Sequence, residues 1–341
     1  MTDRIEDIAV KMVADGKGIL AADESTGTIK KRFDSIGVEN TEDNRRDYRE
    51  MLFRADEAMK KHISGVILFD ETLRQKAKDG TPFVDLINAA GAVPGIKVDK
   101  GAKDLPGFPG EKVTEGLDGL RERLAEYHAI GARFAKWRAV IDIADGLPTW
   151  AAVKANAHAL ARYAALCQEA QIVPIVEPEV LMDGPVAAHD IDRCYDVTVW
   201  TLNTVFAELA EAGVVLEGMV LKPNMIVCGK NCASQPSREE VAEKTVHALK
   251  STVPAAVPGI AFLSGGQSDE DATAHLSLMN QADLPWKLTF SYGRALQAAA
   301  LKAWGGRSEN VAAGQRAFAH RARMNGMAAT GSWKADLEQV A

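Results

Sequence analysis

The sequence has little of what marks secreted, membrane-spanning or nucleic-acid-binding proteins. It contains four cysteines in 341 residues, too few for a disulfide framework. No apolar run approaches the ~18 residues of a membrane-spanning helix, and the acidic amino terminus has no apolar segment like that of a signal peptide. The net charge of −7 disfavours nucleic acids and anionic membranes as partners, because both require a basic surface. These absences predict a cytoplasmic protein.

Several cofactor and metal motifs are also missing. The seven histidines are scattered and lack the H-x-x-H or H-E-x-x-H spacing of a zinc site, so no metal ligands are predicted. Cys228 and Cys232 are an isolated pair, which we interpret as reduced thiols rather than metal ligands. There is no Walker A motif, and no G-x-G-x-x-G follows a hydrophobic run, which disfavours nucleotide handling. No cofactor is therefore predicted.

What the sequence does have is a series of eight short hydrophobic runs, nearly all ending in charged or phosphate-suited residues. Eight buried parallel strands separated by helices predict an α/β fold, the (β/α)8 or TIM barrel, in a single domain. Hydrophobic content of 47% is enough for its large core. The runs are Gly18–Asp23, Gly65–Asp70, Val93–Asp99, Ala132–Val140, Ile172–Glu179, Gly218–Asn224, Gly259–Gly266 and Leu288–Arg294.

The chain divides into three predicted parts around this barrel. Residues 1–17 are predicted to form an amino-terminal helix outside the barrel, and residues 18–305 the barrel itself. Residues 306–341 are predicted to be a helical tail whose last dozen residues are mobile, because the pattern there is polar and weak.

Local signals predict several of the connecting elements. Helical patterns cover Thr28–Ile36 and Asn44–Lys61, between the first two strands. Ser237 and Ser268 are predicted helix N-caps, each followed three residues later by an acidic residue. The Gly- and Pro-rich segment Lys100–Lys112 is predicted to be a surface loop.

Charged residues recur at the predicted carboxyl ends of the strands, where a barrel carries its chemistry. Residues i and i+2 of a strand share a face, so Lys136 and Arg138 point the same way, as do Glu177 and Glu179. Buried charges are costly unless they neutralise one another. Structural ion pairs are the ordinary explanation for such pairs, but they do not explain why every charge falls at the same barrel end.

Lys222 ends the sixth run and has an apolar flank. Such a lysine usually extends to solvent. Desolvation or a neighbouring cation such as Lys136, however, lowers a lysine pKa from about 10.4 and makes the amine a nucleophile. Schiff-base formation with a ketone then creates an electron sink for carbon–carbon cleavage. Glu177 and Asp23 are the candidates for the acid and base that this reaction requires.

Two groups of residues suit phosphate binding. The seventh and eighth runs end in Leu263–Gln267 and Ser291–Arg294, and the loops at these positions of a barrel commonly bind phosphate. The segment Asp23–Thr28 offers hydroxyl groups and a helix N-terminus after the first run. A single Gly-Gly pair is a weak signal, but two such sites on opposite sides of Lys222 suggest a bisphosphate.

The residues as a set resemble class I fructose-bisphosphate aldolase over roughly residues 15–310. The matching segments are GKGILAADESTGTIKKR, GVILFDETL, GIKVDKG, FAKWR, IVPIVEPE, LKPNM, FLSGGQS and TFSYGRALQ. The resemblance implies reversible cleavage of fructose 1,6-bisphosphate to dihydroxyacetone phosphate and glyceraldehyde 3-phosphate, without a metal. It also implies a homo-oligomer, a tetramer.

The resemblance assigns roles to individual residues. Lys222 is similar to the Schiff-base lysine, Glu177 to the acid/base of carbinolamine chemistry, Asp23 to the carboxylate at the C4 hydroxyl, and Lys136 to the lysine that tunes them. Pocket residues are implied at Lys97, Arg138 and Glu179. One phosphate site is implied at Ser264, Gly265, Gly266, Ser291, Gly293 and Arg294, and the other at Ser25, Thr28 and Arg32.

Two departures and two alternatives accompany this resemblance. Thr28 stands where animal members usually have serine, and no tyrosine follows Tyr292, although animal members end in a tyrosine that assists proton transfer to the enamine. Fructose 1-phosphate or sedoheptulose 1,7-bisphosphate is an alternative preferred substrate. A sugar-phosphate-binding scaffold without turnover is the alternative outside enzymes, although such a protein need not keep nucleophile, acid and base together.

Overall fold

The computed structural model of the chain describes residues 4–339, and the predicted (β/α)8 barrel is confirmed. Eight of its ten strands are parallel and close into a barrel, whereas β4 and β5 form a separate antiparallel hairpin. The strands are β1 (Gly18–Ala22), β2 (Ile63–Leu68), β3 (Val93–Lys97), β4 (Ala102–Asp104), β5 (Lys112–Thr114), β6 (Phe134–Ile141), β7 (Val173–Val180), β8 (Val220–Leu221), β9 (Gly259–Phe262) and β10 (Lys287–Tyr292).

Helices surround the barrel and connect successive strands. They are α1 (Ile5–Met12), α2 (Thr26–Asp34), α3 (Glu42–Phe53), α4 (Asp56–His62), α5 (Asp70–Arg74), α6 (Phe83–Ala89), α7 (Leu120–Ala129), α8 (Trp150–Glu169), α9 (Ile191–Glu211), α10 (Arg238–Thr252), α11 (Asp269–Met279), α12 (Arg294–Trp304) and α13 (Val311–Ala328). Short 3₁₀ turns lie at Leu216–Gly218, Ser308–Asn310 and Ala335–Gln339. None of the helices described is both long and apolar enough to cross a bilayer.

Side chains from alternate strands fill the barrel interior, and α1 closes its amino-terminal end. Ile5, Ile8 and Met12 of α1 form one apolar cluster with inward-facing residues of the barrel strands, among them Phe134. The ring of Phe134 occupies space left by Gly95, because a Cβ at that glycine would lie 2.3 Å from the ring. The opposite, carboxyl end of the barrel is left open for function.

Both predicted N-caps are confirmed. The Ser237 hydroxyl accepts the backbone N–H of Glu240 at 3.1 Å, and the Ser268 hydroxyl accepts that of Asp271 at 3.0 Å. The helix predicted from Thr28 begins two residues earlier, at Thr26.

Two local predictions were wrong in detail. The single helical pattern Asn44–Lys61 forms two helices, because Ala55 leaves the helical conformation with ψ 76° and the acidic residues after it begin a new helix. The segment Lys100–Lys112 is more than a loop, since Ala102 pairs with Thr114 and Asp104 with Lys112 across the β4–β5 hairpin. Alternation in three-residue strands is too short to recognise from sequence.

The carboxyl-terminal segment folds back onto α13 instead of extending freely. Glu338 pairs with the buried Arg321 guanidinium and accepts the Trp333 indole N–H at 3.0 Å. Residues 330–339, predicted to be mobile, therefore contact α13 through a partly buried ion pair. The remaining parts of the predicted terminal segments, residues 1–3 and 340–341, lie outside the described residues.

Candidate active site

The carboxyl ends of the barrel strands open into a cavity of about 920 Å³. Every predicted site residue except Gly266 lines this cavity. They are Asp23, Ser25, Thr28, Arg32, Lys97, Lys136, Arg138, Glu177, Glu179, Lys222, Ser264, Gly265, Ser291, Gly293 and Arg294. Residues separated by up to 271 positions in sequence thus share one cavity, as closure of the barrel requires.

The four catalytic candidates form one connected chain of charges. Lys136 Nζ lies 2.9 Å from Asp23 Oδ2 and 3.3 Å from Glu177 Oε2. Lys222 Nζ lies 3.1 Å from the other oxygen of Glu177, Oε1. Lys136, Glu177 and Lys222 are each at most 5% exposed. Two lysines and two carboxylates therefore neutralise one another in a nearly dry site.

This arrangement shifts the pKa values of Lys222, Asp23 and Lys136, and the direction differs between the two lysines. Burial lowers the pKa of Lys222, the nearby Lys136 cation lowers it further, and Glu177 opposes the shift. Burial alone would raise the pKa of Asp23, but Lys136 and Lys222 outweigh that effect and lower it to about 2. Burial also disfavours the Lys136 cation, yet Asp23 and Glu177 raise the pKa of Lys136 above its ordinary value. Lys222 is thus the more readily neutralised of the two amines.

Lys222 is positioned by an extension of the β7–β8 pairing. Its backbone N–H donates to the Val176 carbonyl at 2.8 Å, which continues the strand by one residue. Asn224 fixes the segment that follows, since its Oδ1 accepts the Val180 N–H at 3.0 Å and its Nδ2 donates to Thr198 at 3.1 Å. The lysine therefore projects from backbone that is held on both sides.

The cations on the wall of the cavity have internal carboxylate partners. Arg138 pairs with Glu179, and Lys97 Nζ lies 2.6 Å from Asp99 Oδ1. The same oxygen of Asp99 accepts the Gly101 N–H at 3.0 Å. Asp99 ends the third hydrophobic run, two residues after Lys97, but sequence reasoning did not assign it a role. The i, i+2 spacing was the signal that would have identified it.

Backbone and hydroxyl donors from the ends of β9 and β10 line one side of the cavity. Arg294 begins α12, and its Nη2 donates to the Gln267 carbonyl at 3.1 Å. Gly266 faces a neighbouring cavity of about 710 Å³ that also includes Arg294. Its φ is +71°, and a Cβ there would lie 2.2 Å from Met182 Cγ, so this position excludes larger side chains. Gly266 accordingly shapes the loop from outside the main cavity.

The other side of the cavity is formed by the start of α2. Ser25 is the N-cap of this helix, and its hydroxyl lies 3.1 Å from that of Thr28. Arg32, one turn further on, pairs with Glu24. Hydroxyls, a helix N-terminus and an arginine are suited to binding a phosphate.

Glu24 also lines the cavity, although the sequence analysis assigned it no role. Its buried carboxylate pairs with both Arg32 and Arg49 and accepts the Gln297 Nε2–H at 3.1 Å. The Tyr48 hydroxyl donates to Gln297 Oε1 at 3.0 Å. This cluster, here called the Glu24 cluster (Glu24, Arg32, Arg49, Gln297 and Tyr48), joins α2, α3 and α12. The partner Arg49 lies in a helix with no motif, so no local signal identified it.

Residues 4–341 match the sequence pattern of the family described as fructose-bisphosphate aldolase class-I. The chain belongs to the class I fructose-bisphosphate aldolase family. It is therefore an aldehyde-lyase, and the family reaction is reversible cleavage of fructose 1,6-bisphosphate through a lysine Schiff base.

Individual relatives match along almost the whole chain. The probable fructose-bisphosphate aldolase class 1 of Xanthomonas axonopodis is 59% identical over 334 residues, covering 97% of this chain and 99% of the relative. Fructose-bisphosphate aldolase C of Rattus norvegicus is 54% identical over 332 residues, covering 97% and 91%. The aldolase of Plasmodium falciparum, solved in complex with TRAP and a small molecule inhibitor, superposes with a TM-score of 0.94 at 51% identity, covering 97% of this chain and 95% of the other.

Proposed function

We propose that Lys222 is the Schiff-base residue of this aldolase and attacks the C2 carbonyl of fructose 1,6-bisphosphate. The observation that carries the proposal is the buried Lys222 amine, whose pKa is lowered and whose Nζ lies 3.1 Å from a carboxylate. A neutral amine is the nucleophile, and a carboxylic acid within hydrogen-bonding distance can protonate the departing hydroxyl.

Glu177 is the acid that converts the carbinolamine to the iminium, with loss of water. Its Oε1 faces Lys222 at 3.1 Å, while its Oε2 lies 3.3 Å from Lys136 Nζ. Lys136 keeps the carboxylates of Glu177 and Asp23 apart and neutralised, because it contacts both.

Asp23 is the base that accepts the proton of the C4 hydroxyl. Its lowered pKa keeps it ionised at neutral pH. As the proton moves to Asp23, the C3–C4 bond breaks and its electron pair passes into the iminium. Glyceraldehyde 3-phosphate then leaves and an enamine remains on Lys222. Protonation of that enamine at C3 and hydrolysis release dihydroxyacetone phosphate.

The two sides of the cavity hold the two phosphates. Ser264, Gly265, Ser291, Gly293 and Arg294 bind one, with Gly266 holding the loop in shape, and Ser25, Thr28 and Arg32 bind the other. Lys97, Arg138 and Glu179 contact the sugar chain between them. Cations on both sides favour a bisphosphate over fructose 1-phosphate. Parallel assays with both and with sedoheptulose 1,7-bisphosphate measure the preference.

The decisive experiment is borohydride reduction in the presence of dihydroxyacetone phosphate, followed by peptide mass spectrometry. One covalent adduct is expected on Lys222, with irreversible loss of activity. Lys222→Arg keeps the charge but cannot form an imine, so it is expected to fold and to be inactive. Lys100→Arg, another lysine that lines the cavity, is the matched control and keeps activity. An adduct on Lys97 or Lys136, with an active Lys222→Arg variant, would contradict the assignment.

We also infer a cytoplasmic homo-tetramer, as the family resemblance implies. An exposed aromatic surface supports self-association, because Trp150 is 58% exposed and stacks on Trp200 with ring centroids 5.9 Å apart. Light scattering after size-exclusion chromatography measures the mass. A monomeric mass at assay concentrations would contradict the inference.

A further inference from the structure

Two cysteines lie on either side of a tight turn just beyond the Lys222 strand. Cys228 is buried, whereas Cys232 is partly exposed. The backbone N–H of Cys232 donates to the Gly229 carbonyl at 2.9 Å, which folds the second cysteine back toward the first. The turn is four residues long, so no large loop has to close for the two thiols to meet.

One side-chain amide holds both ends of this turn. The Cys228 thiol donates to Gln235 Oε1 at 3.0 Å, and Gln235 Nε2 donates to the Cys232 carbonyl at 3.2 Å. The second interaction of Nε2, with the Gly229 carbonyl at 3.4 Å, fixes the middle of the turn. A single amide thus keeps the Cys228 thiol next to the Cys232 residue.

We propose that Cys228 and Cys232 form an oxidisable dithiol, a modification site at which a peroxide converts the two thiols to a disulfide. Disulfides in cytosolic proteins are usually transient and sense redox conditions, and a four-residue turn at the surface fits that use. The proposal goes beyond aldol cleavage, and formation of the bond does not depend on the residue roles proposed above.

The difference in exposure assigns the order of the chemistry. Cys232 is the accessible thiol, and its sulfur attacks the O–O bond of the peroxide, giving a sulfenic acid and one water. The Cys228 sulfur then attacks the Cys232 sulfur, forms the S–S bond and releases a second water. The two sulfurs together lose two electrons, and the peroxide is reduced to two waters.

The environment of Cys228 agrees with a resolving role. Burial, aided by the neighbouring Cys232 thiol, raises the pKa of Cys228 to about 11, so it stays protonated and is not the first thiol to react. Cys167 and Cys194 are at most 1% exposed, and they serve as internal controls that peroxide does not reach.

The turn is joined to the proposed phosphate loop. Backbone N–H groups of Gly229 and Lys230 donate to the carbonyls of His189 and Met182, both at 2.8 Å. Met182 in turn packs directly against Gly266, where no Cβ would fit. Forming the disulfide requires Cys228 to leave Gln235, and the resulting shift of the turn passes through Met182 to the loop at Gly265–Gly266.

The bond itself is tested by treating the native enzyme with a small excess of hydrogen peroxide, blocking free thiols and mapping peptides. The expected result is a peptide in which Cys228 is linked to Cys232 and whose mass is about 2 Da below that of the reduced peptide. Dithiothreitol is expected to restore the reduced mass. Cys232→Ser and Cys228→Ser are expected to show no such species. Four free thiols after treatment, or a sulfinic acid on Cys232 without the linkage, would overturn the proposal.

The effect on activity is measured separately, because it rests on the proposed phosphate site. Oxidised enzyme is expected to have a KM for fructose 1,6-bisphosphate raised about threefold or more, with a smaller change in kcat. Cys232→Ser is expected to keep its basal kinetics and to be insensitive to peroxide. A mapped disulfide with an unchanged KM would overturn the coupling through Met182. If peroxide lowered the activity of Cys232→Ser as much as that of the native enzyme, the loss would come from oxidation at another residue.

Discussion

Glu24→Gln is the substitution with the most informative expected effect on stability. The change removes the charge that neutralises Arg49, which is 3% exposed, and Arg32. Breaking a buried ion pair by removing one partner costs about 3–5 kcal/mol, since the remaining charge stays buried. Gln keeps an oxygen acceptor, and the Arg32 side chain is partly solvated, so we expect the lower end, about 3 kcal/mol.

This cost can be expressed as a melting temperature. At about 2.1 cal/mol/K per residue, a chain of 341 residues has an unfolding entropy of about 0.7 kcal/mol/K. A loss of about 3 kcal/mol then lowers Tm by roughly 4 °C. Calorimetry and urea unfolding at one fixed protein concentration are the assays, because self-association would otherwise change the midpoint.

Two variants control the Glu24 experiment. Asp34→Asn breaks an exposed pair with Lys30 at the end of α2, the helix that carries Arg32, and it is expected to cost less than about 0.5 kcal/mol. Glu24→Gln combined with Arg49→Met removes the buried cation as well, so the double variant is expected to be more stable than Glu24→Gln alone. Two results would refute the idea that a buried unpaired cation causes the loss of stability. One is an equal loss of unfolding free energy in Glu24→Gln and Asp34→Asn, and the other is a double variant no more stable than Glu24→Gln.

The remaining predictions concern catalysis. Lys136→Met removes a cation and leaves two carboxylates near Lys222, so the pKa of Lys222 is expected to rise. The pH profile of imine trapping should then move to higher pH, and a shift to lower pH would contradict this. Arg294→Ala is expected to raise KM for a bisphosphate far more than it lowers kcat in steady-state assays, and an unchanged KM would move the phosphate elsewhere. Activity is expected to persist in EDTA, because the iminium serves as the electron sink; loss of activity restored by zinc would contradict this. Deleting residues 332–341 is expected to preserve cleavage and tritium exchange of dihydroxyacetone phosphate, while calorimetry shows a lower Tm because Arg321 loses Glu338. A collapse of exchange alone would assign a tail residue to proton transfer.

The barrel was predictable because its strands are buried on both faces and read as continuous apolar runs. Helix caps were equally clear, since Ser237 and Ser268 each satisfy a helix N-terminus locally. The break at Ala55 was not predictable, because alanine favours helix and the interruption depends on tertiary packing. The same holds for the anchored tail, where the Glu338–Arg321 pair joins two segments with no shared motif.

The candidate site was predictable where charge falls at a strand end. Lys136, Glu177 and Lys222 each interrupt an apolar run, so burial and charge conflict visibly in the sequence. Glu24 and Asp99 were missed because their importance lies in the partners they hold, which only the folded chain brings together. Gly266 was predicted to be part of a phosphate loop, and the structure adds a packing reason for glycine there, because a Cβ would meet Met182.

The helix α1 blocks the amino-terminal end of this barrel, where Ile5, Ile8 and Met12 pack among the interior side chains. The catalytic chamber is consequently a blind pocket, and both fragments of a cleaved sugar must depart through the mouth by which the sugar entered. The fragment that we propose is tethered to Lys222 cannot move until its covalent link is hydrolysed, so the aldehyde leaves first. Product inhibition should then follow an ordered pattern, in which dihydroxyacetone phosphate competes with the substrate and glyceraldehyde 3-phosphate does not.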